Sequence, residues 1–329
     1  MIPQESGMIP VRDSFYTAVL RGDCGLGRYL ERGGTRSEEE TSAFLAELLQ
    51  EPNGVRYRIE GMGCSAMQAV GAHGYIFGRN FDWGDCPLLM LTAYPDGGYP
   101  SISSVNLDFV RKRSGDLPAD KLVAVAYYAP LDGMNRKGLC VAVNLLPDGM
   151  EMMQSTGKPA LTVTTAIRLL LDRAATAEEA VSLLRAHDLC TTTGLTVHFL
   201  ISDAEGRSLC VEYIHNVMSV VETSVMTNHY LTPGPYFGLA RNNSVERFGI
   251  LQKFLQETPT ADLPLVRSAM ASVHHGTQWT AIYDQTALRA AVYYRDQPPD
   301  MPLSLGFDLP DDLPPSASPR DTVSLEHFS

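Results

Sequence analysis

The chain lacks the clustered basic residues and long apolar runs that mark nucleic-acid-binding and membrane-spanning proteins. Its 329 residues include 26 Lys and Arg against 38 Asp and Glu, which gives a formal net charge of −12 without any Lys/Arg cluster. We therefore expect no nucleic-acid partner and no anionic membrane partner. No apolar run approaches the roughly 20 residues needed to span a bilayer, so membrane insertion is not expected either.

Signals for secretion and for metal binding are also missing. Residues 1–15 contain no basic segment followed by an apolar one, so they do not resemble a secretory signal. The six cysteines, at positions 24, 64, 86, 140, 190 and 210, are scattered without C-x-x-C spacing or paired histidines nearby. This usage disfavours a structural zinc site and is typical of a reducing cytoplasm. We expect a cytoplasmic protein without a metal or another cofactor.

Residues 1–63 differ in pattern from the rest of the chain and are predicted to form a helical leader. One helix is expected around Asp13–Leu20. A second begins at Ser37, where Glu40 completes a capping box, and ends at Pro52. Its apolar residues recur at helical spacing; they are Phe44, Leu45, Leu48 and Leu49. We expect this stripe to cover Cys64, the candidate nucleophile described below, although an ordinary N-terminal helical lobe has the same pattern.

Runs typical of strands follow from residue 55 onward, separated by Gly, Pro and Asp residues. Two of them are joined by Gly71–Gly74, which predicts a hairpin. Because little helix lies between the runs, antiparallel pairing is favoured. The runs are VRYRIE, CSAMQAV, YIFGRNF, LLMLTAY, SISSVNLDFV, KLVAVAYYA and LCVAVNLL.

The remaining chain alternates between predicted helices and predicted strands. Helices are expected at Leu161–Ala174, Ser244–Glu257 and Leu263–Val273. A further helix is expected to begin after a capping box formed by Thr176 and Glu179. Strands are expected in TVHFLIS, RSLCVEYI, VMSVVE, SVMTN, QWTAIYD and LRAAVYY. This order predicts an α+β fold in which two antiparallel sheets face each other with helices outside. Residues 64–329 would form the catalytic domain, with a Pro- and Asp-rich tail at 300–329.

Cys64 is the first candidate for chemistry. The preceding Gly63 leaves the backbone permissive, and a thiol beside its own peptide carbonyl can attack it in an N-to-S acyl shift. Water would then release a new N-terminus, whose α-amine could take the thiol proton. A buried, inert strand cysteine is the alternative interpretation of the same residues.

Arg79 and Asp82 follow an apolar strand run and are candidates to act with Cys64. A buried guanidinium needs an anion, and a cation close to a sulfur lowers the pKa of the thiol. A simple Arg–Asp ion pair at a strand end remains the alternative. A papain-type site is disfavoured, because none of the histidines at 73, 198, 215, 229, 274 and 275 lies in a local signature.

Six segments in order resemble the choloylglycine hydrolase and penicillin V acylase family, within the N-terminal nucleophile hydrolases. They are GCSAMQAVGAHGYIFGRNFDW, DGMNRKGLCVAVNLL, HFLISDAEGRSLCVEY, SVMTNHY, NNSVERF and TQWTAIYDQTALRAAVYY. The resemblance extends over about residues 60–295 and implies a four-layer αββα sandwich. It also implies that Cys64 is the nucleophile and, through its α-amine, the base. Arg79 would tune the thiol and Asp82 would orient the amine.

The same resemblance implies roles for three later residues. Asn144 and Asn228 would hold the oxyanion of the tetrahedral intermediate, and Arg247 would complete the polar network around Cys64. The resemblance contains no diagnostic substrate loop, so it implies a small N-acyl amide substrate without naming the acyl group. The oligomeric state, including a homo-oligomer, is left open.

Three functions fit these residues. The leading hypothesis is an amidase made as a precursor, which cuts itself between Gly63 and Cys64 and then hydrolyses linear amide C–N bonds through a thioester. An acyltransferase on the same fold would resolve the thioester with an amine instead of water. An unprocessed chain that only binds an acyl ligand is the third possibility.

Overall fold

The structure is a computed structural model of the chain, and it describes residues 4–5, 7–51, 54–55, 63–110, 117–146, 152–191, 196–234, 243–295 and 302–307. The strands are β1 Gln4–Glu5, β2 Ile9–Arg12, β3 Phe15–Gly22, β4 Gly63–Gly71, β5 Gly74–Asp82, β6 Leu88–Pro95, β7 Ser101–Asn106, β8 Asp132–Asn135, β9 Cys140–Leu146, β10 Ala160–Thr162, β11 Asp188–Cys190, β12 Thr196–Ser202, β13 Ser208–Ile214, β14 Val217–Glu222, β15 Val225–Met226, β16 Thr277–Asp284, β17 Arg289–Tyr294 and β18 Leu303–Gly306.

Seven α-helices lie in the described part of the chain. They are α1 Leu26–Glu31, α2 Glu38–Leu48, α3 Ala119–Ala126, α4 Val163–Arg173, α5 Ala177–Arg185, α6 Ser244–Glu257 and α7 Leu263–Ser272. A 3-10 turn covers Leu107–Val110. Within the same residues, no helix has both the length and the apolar character needed to cross a bilayer.

Two large sheets form the centre of the fold. The ten-stranded sheet has the order β1-β3-β6-β7-β8-β9-β12-β13-β14, with β2 paired to β3, and the six-stranded sheet has the order β15-β4-β5-β16-β17-β18. Every pairing in them is antiparallel except that of β3 with β6. The sheets face each other, since Arg79 on β5 donates to the carbonyl of Val143 on β9. These sheets confirm the predicted α+β class.

Helices cover the outer faces of both sheets. Asn135 at the end of β8 donates to the carbonyl of Leu171 in α4, and Asn80 in β5 donates to the carbonyl of Met270 in α7. Apolar side chains of α6 and α7 pack with those of the six-stranded sheet in a separate core cluster. The layers therefore run helix, sheet, sheet, helix, as predicted.

Both predicted capping boxes are present. Ser37 accepts the backbone N–H of Glu40 at 3.1 Å, and Thr176 accepts that of Glu179 at 3.2 Å. In return, the Glu40 carboxylate accepts the Arg36 N–H, and the Glu179 carboxylate accepts the N–H of Ala175. Each box satisfies donors that the first helical turn leaves without an internal partner.

Two predicted elements are of the wrong type. The helix expected around Asp13–Leu20 is strand β3, because its residues pair along their length with β6. The strand expected in KLVAVAYYA is helix α3, which begins after Pro118. A short apolar run that is buried on all sides does not distinguish helix from strand by its period, and tertiary contacts decide.

The leader is part of the core rather than a helical cover. The predicted helix from Ser37 is confirmed as α2, but β3 belongs to the ten-stranded sheet, so residues 1–63 are not purely helical. The ring of Phe44 in α2 packs against Tyr29 and Tyr128, with centroids 5.2 and 5.8 Å away. Phe44, which belongs to the apolar stripe of α2, therefore packs against these two aromatic rings.

Two other predicted segments lie partly outside the described residues. Most of VRYRIE falls in the undescribed range 56–62. In the Pro- and Asp-rich tail, Leu303–Gly306 forms β18 and pairs with β17, so this part is an edge strand rather than loose chain. The rest of the tail after residue 307 is outside the described range.

Candidate active site

The hairpin of β4 and β5 positions Cys64. Its strands join through a two-residue turn between Gly71 and Gly74, which are paired. Gly74 has φ +146°, and a Cβ there would lie 1.8 Å from the Thr286 hydroxyl oxygen, so this turn requires glycine. The register sets Cys64 opposite Phe81 and Ala66 opposite Arg79. Cys64 and Arg79 therefore share one face of the hairpin.

Arg79 connects the thiol of Cys64 to a buried carboxylate. Its Nη2 donates to Cys64 Sγ at 3.1 Å, and its Nε lies 3.1 Å from Oδ2 of Asp132 on β8. Asp132 also accepts the hydroxyls of Ser104 at 2.6 Å and Tyr283 at 2.5 Å. Arg79 and Asp132 are fully buried, so each charge is compensated mainly by the other.

The backbone of Cys64 is held at both its N–H and its carbonyl. The N–H donates to Asn228 Oδ1 at 3.0 Å. The carbonyl accepts Asn144 Nδ2 at 3.2 Å and Arg247 Nη1 at 2.9 Å. This N–H belongs to the Gly63–Cys64 peptide bond, so the atom that would become the free amine already faces an amide oxygen.

The orientation of the Asn228 amide follows from its neighbours. Its Oδ1 lies between two donors, the N–H of Cys64 and Nη2 of Arg247 at 2.8 Å. Its Nδ2 donates to the carbonyl of Leu145 at 2.8 Å. In the uncut chain Asn228 thus presents an acceptor to Cys64, while its donor side is directed to β9.

Asp82 lies at the end of β5, opposite Gly63. Its carboxylate accepts the Thr277 hydroxyl at 2.6 Å and lies 3.7 Å from Nη1 of Arg247. Burial raises the pKa of Asp82 to about 7, although the Thr277 hydrogen bond and the charge of Arg247 act in the opposite direction. This carboxyl therefore gains or loses its proton near neutral pH.

Burial also dominates the electrostatics of the thiol. It raises the pKa of Cys64 to about 11, and the nearby Arg79 guanidinium opposes this shift. The equally buried Cys140 and Cys210 have pKa values raised well above the ordinary value by burial and by neighbouring carboxylates. Cys64 differs from these two because a cation contacts its sulfur.

The other five residues singled out in the sequence lie around Cys64, and the six come from four separate segments of the chain. Three further members of the cluster were not predicted: Asp132, Ser65 and Thr277. Asp132 is the first residue of the DGMNRKGLCVAVNLL segment that also contains Asn144, so that segment contained a signal for it. Ser65 accepts Nη1 of Arg247 at 2.5 Å, and nothing local in the sequence marked it.

Comparison with known proteins gives one matching family and several similar structures. A family model described as linear amide C-N hydrolases, choloylglycine hydrolase family, matches residues 64–243. Penicillin V acylase from Agrobacterium tumefaciens is 19% identical, with a TM-score of 0.54 over 74% of this chain and 86% of that one. Conjugated bile acid hydrolase from Clostridium perfringens, in a mutant form, is 14% identical, with a TM-score of 0.52 over 74% and 92%.

A second structure of the Clostridium perfringens hydrolase, of another variant, is also 14% identical, with a TM-score of 0.51 over 71% of this chain and 90% of that one. No curated protein sequence matches the chain. At these identities, the solved structures establish a shared fold.

Proposed function

The chain belongs to the choloylglycine hydrolase family of linear amide C–N hydrolases, and from this premise we propose that it is a self-activating cysteine amidase. It cuts its own Gly63–Cys64 bond and then uses Cys64 to hydrolyse a small N-acyl amide through a thioester. The observation that carries the proposal is the convergence of two guanidinium groups and two side-chain amides on the thiol, N–H and carbonyl of this cysteine.

The proposed self-cleavage is an acyl shift followed by hydrolysis. Cys64 Sγ attacks the carbonyl carbon of Gly63, a C–S bond forms, and the C–N bond breaks. The thiol proton passes to the departing nitrogen, which becomes the α-amine of Cys64. Water then hydrolyses the thioester, which frees the Gly63 carboxylate and restores the thiol.

The liberated amine would place a base on the same residue as the thiol. With a pKa of about 11, the Cys64 thiol is protonated at neutral pH, and a protonated thiol is a weak nucleophile. An α-amine has an ordinary pKa of about 7.7–8.0, so it can accept the thiol proton near neutral pH. Self-cleavage would thereby make the thiol a better nucleophile than it is in the uncut chain.

Contacts in the uncut chain support the proposed roles in amide hydrolysis. Arg79 contacts the sulfur and would stabilise its thiolate form. Asn144 Nδ2 and Arg247 Nη1 converge beside Cys64 and would donate to the oxyanion of the tetrahedral intermediate. Protonation of the leaving nitrogen by the Cys64 ammonium would then release the amine product and leave the acyl group on sulfur.

Asn228 and Asp82 would hold the liberated amine. Asn228 Oδ1 already accepts the Cys64 N–H, so we propose this acceptor role beside the oxyanion role implied by the resemblance. In its ionised form, Asp82 would favour the protonated amine. With a pKa of about 7, its charge would change over the range in which the amine must exchange protons.

The substrate is proposed to be a small N-acyl amide. Two proteins of the same fold are named penicillin V acylase and conjugated bile acid hydrolase, so penicillin V and bile-acid conjugates are the first compounds to test. N-acyl amino acids and N-acyl homoserine lactones complete the panel. A competing amine in the assay distinguishes a hydrolase from an acyltransferase, because only a transferase makes the new amide efficiently.

Intact-mass measurement of the purified protein tests the proposal. The wild-type chain should give two masses that correspond to residues 1–63 and 64–329, and it should hydrolyse at least one compound of the panel. Cys64→Ala should give a single full-length mass and no turnover. A cut Cys64→Ala chain, or an uncut wild-type chain that hydrolyses amides, would contradict the proposal.

A further inference from the structure

A buried histidine and glutamate lie beside the proposed active site and have no part in the chemistry described above. His198 on β12 pairs with Asn144 of β9 in the sheet register, and Glu212 lies on the neighbouring β13. Both side chains are fully buried, and His198 Nδ1 is 3.4 Å from Glu212 Oε1. Burying such groups is unfavourable unless they are paired, so their contacts indicate what they hold.

His198 is directed at the segment that carries Asn228. Its Nε2 donates to the carbonyl of Thr227 at 2.7 Å, and Asn144 Nδ2 donates to the same oxygen at 2.9 Å. The next N–H, that of Asn228, donates to the Ser244 hydroxyl at 2.6 Å. The peptide between residues 227 and 228 is therefore fixed at its carbonyl and at its N–H.

Glu212 holds the same segment further along. Its Oε1 accepts the backbone N–H of Leu231 at 2.7 Å, and its Oε2 accepts that of Thr232 at 2.9 Å. Burial alone would raise the pKa of Glu212, but the neighbouring His198 and these hydrogen bonds lower it. The pair thus binds the chain on both sides of Asn228.

We propose that His198 and Glu212 are positioning residues, which hold Asn228 so that its Oδ1 faces the nitrogen of Cys64. The inference rests on the proposed function, because it gives Asn228 a role at the bond that is cut. Small displacements of a positioning group slow the reaction strongly, since a displacement of about 1 Å can lower the rate on the order of 100-fold. A network that pins the Asn228 peptide at several points keeps such displacements small.

A metal site is the competing interpretation of this cluster. His198, Cys210 and Glu212 offer ligand atoms within 4.8 Å of one another, and their types suit zinc. The hydrogen bonds favour the positioning role, because each Glu212 oxygen already accepts a backbone N–H.

The test follows self-cleavage, because that reaction needs no added substrate. The full-length chain is made by cell-free synthesis, synthesis is stopped, and the uncut fraction is followed by intact mass. His198→Gln retains an amide N–H that reaches the Thr227 carbonyl and should cut at close to the wild-type rate. His198→Asn has a shorter side chain that does not reach and should cut on the order of 100-fold more slowly.

Both variants bury a neutral amide, so their stability losses should be similar while their cleavage rates differ. Asp172→Asn is the matched control, because Asp172 belongs to a second buried ion pair, with Arg168 at 2.7 Å. It should lower the melting temperature and leave the cleavage rate unchanged. Should both His198 variants fail to fold, Glu212→Gln takes their place, and it should slow the cut.

The positioning role would be overturned if His198→Asn were cut as fast as wild type, or if His198→Gln were cut as slowly as His198→Asn. An unchanged cleavage rate in a folded Glu212→Gln chain would also overturn it, as would one zinc ion per chain in the purified protein. Failure of the proposed function looks different. In that case the wild-type chain stays uncut or Cys64→Ala is cut, whatever residue stands at 198.

Discussion

The fragment 1–63 is expected to stay bound after the Gly63–Cys64 bond is cut. Strand β3 pairs with β6 at eight positions, from Phe15 with Leu88 to Gly22 with Pro95. Tyr29 donates from its hydroxyl to that of Thr165 in α4 at 3.0 Å. Cutting one peptide bond removes none of these contacts, so the active enzyme should contain two chains.

The apolar contacts of the leader set the scale of this binding. Five of its large apolar side chains are at most 8% exposed: Phe15, Leu20, Phe44, Leu45 and Leu49. At about 1.5–3 kcal/mol for each buried side chain, they contribute roughly 8–15 kcal/mol before the entropy of association is subtracted. Leu45→Ala should remove about 2–5 kcal/mol, which weakens binding of the cut leader by roughly 30- to 5000-fold.

Size-exclusion chromatography and mass spectrometry measure this directly. The cut wild-type protein should elute as one species whose denatured sample contains both fragments. The cut Leu45→Ala protein should release the leader on dilution and lose activity as it does so. Glu39→Ala, an exposed position of the same helix, is the control and should keep the leader bound.

One result would refute the reasoning about the leader. If residues 64–329 of the cut wild-type protein elute alone at micromolar concentration and keep full activity, the leader is a dispensable propeptide. The contacts of β3 and α2 would then matter only for folding.

Three further predictions concern single side chains. Arg79→Leu leaves the buried Asp132 carboxylate without its cation and should lower the free energy of unfolding by about 3–5 kcal/mol. Adding Asp132→Leu should restore the melting temperature but not self-cleavage. A double variant as unstable as the single one would contradict this. Burial raises the pKa of Asp82 from 3.8 to about 7, so between these pH values the folded chain binds a proton that the unfolded chain has released, and stability falls as pH rises. In a Cys64→Ala background, Asp82→Asn should therefore gain stability relative to its parent from about pH 4 to about pH 7, by up to about 4 kcal/mol in urea titrations; a difference independent of pH would argue against it. Thr176→Ala removes the cap of α5 and should cost about 1 kcal/mol in thermal unfolding with self-cleavage unchanged, whereas a slower cut would show that this helix end affects the site.

Elements with a local signal could be predicted from the sequence. The capping boxes at Ser37 and Thr176 have short-range causes, since a side chain three residues away satisfies a free N–H. The hairpin of β4 and β5 likewise depends on the Gly71–Gly74 turn. These local causes act in the same way in any surroundings, so pattern alone identifies them.

Elements decided by distant partners could not be predicted. Residues 15–22 become a strand because β6 lies beside them, and residues 119–126 become a helix although their apolar run fits either type. The same holds within the site. Asp132 and Arg79 lie far apart in the sequence, and His198 meets Thr227 only through the packing of the two sheets, so no short motif marks either pair.

If the proposed self-cleavage occurs, the sequence distance between Cys64 and Arg247 also limits when it can occur. Arg247, which contacts the Cys64 carbonyl, is synthesised 183 positions after it. At about 5–20 residues per second, a ribosome needs roughly ten seconds or more to cover that distance. A chain in which residue 247 has not yet been synthesised, or one terminated before it, therefore lacks this contact of Cys64. Self-cleavage that needs this contact would therefore occur only after residue 247 has been synthesised.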